Sequence, residues 1–404
     1  MTDTDLGHTA LLPAGLKDVL PPDAAQEAAV VERLVACFAA RGYERVKPPL
    51  LEFEDTLLRG AGADVAQQTF RLMDPVSQRM LGLRADITPQ VARIAATRLA
   101  GAPRPLRLCY AGQVLQVKGS QLRPERQFAQ AGAELIGAAS ARADAEVVLL
   151  AAESLAEIGV TALSVDLNVP PLVGAVAAAL GLSETRTAAL RQALDRKDAA
   201  AVARVAGPHA APFEALLRAA GPVDRALAAL GALSLPAAAA AEVARLTRVV
   251  ELVRAAAPDL TLTVDPVEHR GFEYQTGISF ILFARGVRGE LGRGGRYATP
   301  GAAGPAETAT GFTLYMDSVL RALPPPPPAR RLFVPASAGA ATAAAARADG
   351  WITVCGLDDH GDPRAEARRL GCSHVWIDAA AVAVDDPENP PRSTQRSDGT
   401  DEHG

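Results

Sequence analysis

The chain has 404 residues, of which 49% are hydrophobic and 22% charged, a balance that excludes a disordered or fibrous protein. Its 41 basic and 46 acidic residues leave a formal charge of -5, which argues against a broad nucleic-acid surface. Cys37, Cys109, Cys355 and Cys372 are far apart and no histidines cluster near them, so neither a disulfide framework nor a structural metal site is expected. Length favours two or three domains. No apolar run reaches the roughly 18 residues of a membrane span, and residues 1–8 lack a basic start followed by an apolar core, so a cytoplasmic location is expected.

In chain order, Pro21-Pro22 blocks helix before it, and Asp23 with Gln26 forms a box-like cap. Val30, Val31, Leu34, Val35 and Phe38 then share one helical face, ended by Gly42. Residues 43–51 follow as an extended segment whose Pro48-Pro49 marks an edge or exit. Strands are expected at 70–73 and 79–83, a helix at 88–99, and strands at 106–117 and 127–136 joined by a polar loop. Residues 143–257 read as almost wholly helical around one strand at 163–167. Sheet returns at 260–264 and 277–284, followed by a glycine-dense stretch at 286–304 and a last helix near Met316.

Strands joined by turns, with helices set apart, indicate an α+β fold on an antiparallel sheet. The expected organisation is a core over 9–323 with a helical insertion at about 170–257, a proline linker at 324–330, a small βαβαβ unit at 331–384 and a disordered tail at 385–404.

Three clusters could carry chemistry. In Leu83-Arg84-Ala85-Asp86-Ile87-Thr88-Pro89-Gln90 the plain explanation is a helix start capped by Asp86 or Thr88. In residues 126–137 the period of two places Phe128, Gln130, Gly132 and Glu134 on one strand face, with the glycine leaving room above the sheet. The third runs Glu268-His269-Arg270-Gly271-Phe272-Glu273-Tyr274-Gln275 and continues at Gly292-Arg293-Gly294-Gly295-Arg296-Tyr297. Glycines there let backbone approach a ligand. Arg84, Arg93, Arg98, Arg104, Arg107, Lys118, Arg123 and Arg126 form a basic stretch, either ordinary surface charge or a groove for an anion. Together the clusters can hold an amino acid. Asp86 would pair with its ammonium, Arg270 with its carboxylate, and Glu134 would meet a polar side chain, at about 1.5–3 kcal/mol per charge-assisted bond.

These motifs resemble the catalytic core of histidyl-tRNA synthetase, a class II synthetase, from about residue 12 to 323. Residues 42–52 resemble its first motif, the dimer strand ending at a proline. Residues 83–88 resemble L-R-P-E-G-T, residues 127–137 resemble Q-F-x-Q-x-G-x-E-x-x-G, residues 270–274 resemble R-G-L-D-Y, and Gly294-Gly295-Arg296-Tyr297 resembles G-G-R-Y. The resemblance implies that Asp86, Thr88 and Gln130 hold the α-amino group, that Glu134 reads the imidazole and that Arg270 lies near the carboxylate, with Tyr274 and Gln275 completing the pocket. Gln275 stands where that family has a tyrosine.

Other departures fall on the ATP chemistry. Gln116 stands at the second-motif arginine, Pro124 at a further loop arginine and Ser318 at the third-motif arginine, in Gly311-Phe312-Thr313-Leu314-Tyr315-Met316-Asp317-Ser318 against G-F-x-x-G-L-E-R. Positioned arginines stabilise the charge that builds on phosphate oxygens. The pattern, with its short C-terminal unit, is similar to a paralogous family, the regulatory subunits of ATP phosphoribosyltransferase. That resemblance implies no catalytic residues, no cofactor and no metal of the chain's own. It implies a short-form catalytic phosphoribosyltransferase as partner, L-histidine as effector, a homodimer within a hetero-oligomer, and no tRNA. An active synthetase, or a histidine-binding sensor outside histidine biosynthesis, are the alternatives.

Overall fold

The structure, a computed structural model, describes residues 12–58, 65–119, 123–269, 274–299, 305–358 and 361–385. The chain forms two compact units, Met1–Pro324 and Pro325–Gly404. The strands of the first are β1 (Glu44–Arg45), β2 (Leu51–Phe53), β3 (Phe70–Met73), β4 (Met80–Leu83), β5 (Leu106–Leu115), β6 (Gln127–Ile136), β7 (Leu163–Asn168), β8 (Gly221–Pro222), β9 (Thr261–Asp265), β10 (Gln275–Ala284), β11 (Gly292–Thr299) and β12 (Glu307–Tyr315). Nine of them form one sheet in the order β1-β5-β6-β12-β11-β10-β7-β9-β8. Its central run from β5 to β7 is antiparallel throughout, while β1 and β9 join in parallel. A small sheet, β2-β4-β3, stands apart. It is tied to the helix Thr88–Thr97 where Gln90 Nε2 and Arg93 Nε donate to Glu52 at 2.9 and 2.8 Å.

The two faces of the large sheet are built from alternate residues, as strand geometry requires. In β6, Ala129, Ala131, Ala133 and Leu135 join a large apolar core with Leu34 and Phe38 of the helix Asp23–Ala40 and Val147, Val148 and Ala151 of the helix Ala141–Glu157. Four of those nine residues are alanines, which let the helices lie close. Phe128 and Ile136 face the other way, packing with Ile87, Val91 and Ala95 of the short helix. The helices between Pro171 and Ala256 share the larger core through Leu172, Leu190, Phe213 and Leu246. The helix Asp23–Ala40 starts on Pro22 without a side-chain cap bond, so Asp23 is its first residue rather than its cap.

The glycine-dense stretch, to which the sequence pattern assigns no element, contains a strand. Residues 292–299 form β11, paired along its whole length with β12. Glycine weakens strand propensity and hides the period-two pattern. Here it serves close packing: a Cβ on Gly294 would collide with the Gly311 carbonyl and the Phe280 ring, and a Cβ on Gly311 with the Glu134 carboxylate.

The second unit holds β13 (Arg331–Val334), β14 (Ile352–Cys355), β15 (His374–Ile377) and β16 (Ala380–Ala383), in the order β14-β13-β15-β16. The helices Gly339–Ala348 and Pro363–Arg369 link the parallel trio. The antiparallel β16 adds to the expected βαβαβ pattern. Its two-residue turn places Asp378 and Ala379 at φ 49° and 60°, and alanine at such a position gives no turn signal in sequence. The tail at 386–404 lies outside the described residues. Among the described residues no helix is long and apolar enough to cross a membrane, and no His, Cys, Asp and Glu group could hold a metal.

Candidate functional site

The site lies on the face of the large sheet that the helix Thr88–Thr97 covers. Register brings its parts together: Glu134 faces Gly311 on β12, Gly132 faces Tyr110 on β5 and Thr313 on β12, and Gly311 in turn faces Gly295 on β11. The glycines clear the space above the sheet that Glu134 and Tyr110 fill, since a Cβ on Gly132 would meet the Tyr110 hydroxyl.

Glu134 is 1% exposed. Its Oε1 accepts from Thr88 Oγ1 at 3.0 Å and its Oε2 from the Tyr297 hydroxyl at 2.9 Å. The Tyr110 hydroxyl lies 3.1 Å from Thr88 Oγ1 and 2.7 Å from Thr313 Oγ1. Each hydroxyl has one proton, so with Thr88 donating to Glu134 the chain runs Thr313 to Tyr110 to Thr88 to Glu134. Gln130, also 1% exposed, accepts from the Ile87 N–H at 3.3 Å and holds the start of the helix against the sheet. Asp86 Oδ1 accepts from the Thr88 N–H at 2.8 Å. The cap position falls on Ile87, which makes no side-chain cap bond, so neither Asp86 nor Thr88 is the cap; Asp86 holds the N–H of the first helical residue, and both side chains line the pocket.

Burial pushes the Glu134 carboxyl up to about 8, against the pull of the hydrogen bonds from Tyr297 and Thr88. Burial also raises Asp86, opposed by its bonds to Thr88 and by the Arg293 guanidinium. A carboxyl poised near 8 exchanges protons readily with an imidazole, whose free value is about 6.5. Asp86, Glu134, Tyr274, Gln275, Arg293 and Tyr315 line a cavity of about 30 Å³, room for a water or two, so a ligand the size of an amino acid enters only if lining side chains move apart. Gln275 is 8% exposed, and its Oε1 has no hydrogen-bond partner among the described residues. The Tyr274 ring meets Tyr297 edge-on at 5.9 Å. Arg270 lies outside the described residues.

Asp86, Thr88, Gln130, Glu134, Tyr274 and Gln275 are thus gathered at one place. Sequence reasoning missed Tyr110 and gave Thr313, Tyr297 and Arg293, though within its motifs, no role in the pocket. Tyr297 and Arg293 lie in the glycine-dense stretch, and with that stretch a strand, Arg293, Gly295 and Tyr297 share a face. The basic residues do not form one groove. Arg93, Arg104 and Arg107 pair with Glu52, Glu307 and Glu146, and Arg84 donates to the carbonyls of Pro48 and Gln113.

Gln116 Nε2 donates to the Ala85 carbonyl at 3.4 Å, and Ser318 is buried with Arg321 donating to it at 2.9 Å. Tyr315 stands where the third-motif pattern has a glycine. Its ring packs edge-on against Phe128 at 6.0 Å, with the Arg123 guanidinium 3.6 Å from its centre. Arg123 also pairs with Glu290 and Asp317, each at 3.5 Å.

The antiparallel sheet and the pocket on it define a class II aminoacyl-tRNA synthetase-like core, and the family model for histidyl-tRNA synthetase matches residues 15–319. Proteins called ATP phosphoribosyltransferase regulatory subunit are more specifically similar. The one from Paramagnetospirillum magneticum is 62% identical, covering 92% of this chain and 97% of its own. That of Rhodospirillum centenum is 58% identical, over 96% and 100%. A crystal structure from Bacillus halodurans, described as an ATP phosphoribosyltransferase regulatory subunit/histidyl-tRNA synthetase, matches with a TM-score of 0.76 at 25% identity, covering 89% of this chain and 96% of that one. The chain belongs to the ATP phosphoribosyltransferase regulatory subunit family, built on the histidyl-tRNA synthetase scaffold.

Proposed function

We propose that the chain is the regulatory subunit of an ATP phosphoribosyltransferase, acting at the first step of histidine biosynthesis and making no bond itself. Its partner is a short-form catalytic phosphoribosyltransferase subunit, and L-histidine is its effector, bound on Asp86, Thr88, Gln130, Glu134, Tyr274 and Gln275 with Arg270. The observation that carries this reading is the Glu134 carboxyl, buried, raised to about 8 and held by hydroxyl donors. It suits a ligand whose side chain titrates near neutrality and carries both a donor and an acceptor.

The synthetase reaction is proposed to be absent. Gln116 and Ser318 replace arginines that the resemblance assigns to phosphate, and Tyr315 with Arg123 stacked on it fills space beside the pocket. Residues 42–52 carry the dimer motif of the resemblance, and Leu50 and Leu51 within it are 52% and 37% exposed, so a homodimer is the building block, joined to catalytic subunits in a closed hetero-oligomer in the cytoplasm. Feedback then requires that histidine and the active state favour different arrangements of one complex.

The test is co-expression with a short-form catalytic subunit. Mixing the two is expected to produce one larger species by light scattering, to switch on transfer from phosphoribosyl pyrophosphate to ATP, and to make that transfer sensitive to histidine. The chain alone is expected to show no histidine-dependent ATP–pyrophosphate exchange. A partner fully active alone that elutes separately at micromolar concentration would overturn the assignment.

A further inference from the structure

Arg293 has no role in any of the motifs above, and it lies in the wall of the pocket. It is one residue before Gly294 on β11 and pairs in register with Thr313, whose hydroxyl belongs to the chain leading to Glu134. Strand alternation sends Arg293 and Tyr297 to the site face, while Arg296 leaves by the other face to Asp144. The Arg293 guanidinium is close enough to Asp86 to oppose the effect of burial on that carboxyl. It also interacts with Tyr274 and Tyr315, which line the same cavity.

Glu290 holds the guanidinium from behind, accepting from Nε at 3.2 Å and from Nη2 at 2.7 and 2.8 Å. That pairing fixes the plane of the fork. A guanidinium has five donors in rigid geometry, so it can serve Glu290 and a ligand carboxylate together.

We infer that Arg293, in the wall of the cavity that Asp86 also lines, receives the α-carboxylate of the bound amino acid, a role the resemblance gives to Arg270. This rests on the reading of the pocket as an amino-acid site. An amino acid carries an ammonium and a carboxylate on one carbon, and it is held best where an anion and a cation of the protein face one small space. Asp86 and Arg293 supply that pair on described elements, one at a helix start and one on a strand, so both are positioned by the scaffold rather than by a loop. Glu134 lies on the same face for the side chain. Charge-assisted bonds of this kind fall in the range that changes affinity by about 10- to 150-fold.

The experiment compares L-histidine with L-histidinol, which has a hydroxymethyl group in place of the carboxylate, by titration calorimetry on the whole chain. Wild type is expected to bind histidine at least about tenfold more tightly than histidinol. Arg293→Gln should weaken histidine by about 10- to 100-fold and histidinol by less than about threefold, so the preference collapses. A variant that keeps the preference, or that weakens both ligands equally, overturns the inference and makes Arg293 a structural residue. Should Arg293→Gln not fold, Arg293→Lys keeps the charge and loses the fork. It should lose several-fold of the preference through histidine alone, and an unchanged preference there overturns the inference as well. Wild type that binds neither ligand overturns the pocket reading itself, and the inference with it.

Discussion

Arg296 and Tyr297 are neighbours in β11 and serve opposite faces of the sheet. On the face covered by the helix Ala141–Glu157, Arg296 donates to Asp144 at 2.7 Å, with both side chains at most 5% exposed. Thr310 donates to the same carboxylate at 2.9 Å, and the Ala138 and Ser140 carbonyls accept from the guanidinium at 3.2 and 2.9 Å. On the site face Tyr297 donates to Glu134, an equally buried carboxylate that has hydroxyl donors and, among the described residues, no cation bonded to it. With no such ion pair at Glu134 among the described residues, burial lifts its carboxyl to about 8. Equal burial at the two faces of one sheet therefore produces two kinds of acid, Asp144 on the helix packed against one face and Glu134 on a strand facing the other. One is a completed ion pair that holds the helix Ala141–Glu157 in place; the other is held ready for a partner that brings its own donor.

The largest expected effect tests the completed pair. Arg296→Met removes the cation and leaves Asp144 buried without it, which should cost about 3–5 kcal/mol in urea unfolding. The folded fraction should still respond to histidine, because the site face is untouched. A cost below about 1 kcal/mol would mean that Arg245, 3.6 Å from Asp144, suffices to hold the charge.

A smaller effect tests the other acid. Glu134 has a usual value of 4.5 and a folded value of about 8, so between those limits the native state holds a proton that the unfolded state has released. Stability therefore falls as pH rises through that window, by at most about 1.4 kcal/mol per pH unit, and the loss is complete above pH 8. Glu134→Gln cannot ionise and should flatten this part of the stability–pH curve. Parallel curves for wild type and variant would show that Glu134 ionises freely in the folded chain.

How much of this could be read from the residues follows the same division. Strand β6 was expected at 127–136 and forms there, because small apolar residues alternate with Phe128, Gln130 and Glu134 along its length. The helix at 88 announced itself by Asp86, Thr88 and Pro89. Strands β11 and β12 did not. Their glycines are placed for what neighbouring strands need, room for Glu134 and Phe280, and a missing side chain carries no periodic signal. The donors to Glu134 were hidden for a related reason. Thr88 was within a matched motif, but Tyr110, Thr313 and Tyr297 reach the site only through strand order, which places segments some 200 residues apart side by side. Arg293 was in view and without a role until β11 set its direction.

The most direct test of the account is the response of the melting temperature to L-histidine in wild type and Glu134→Ala. A ligand that binds only the folded chain stabilises it by about 2.7 kcal/mol at a hundredfold excess over its dissociation constant, a rise of about 3 °C for a protein of this size. Wild type is expected to show that rise and Glu134→Ala to lose it. Equal shifts in both proteins would contradict the assignment of the pocket.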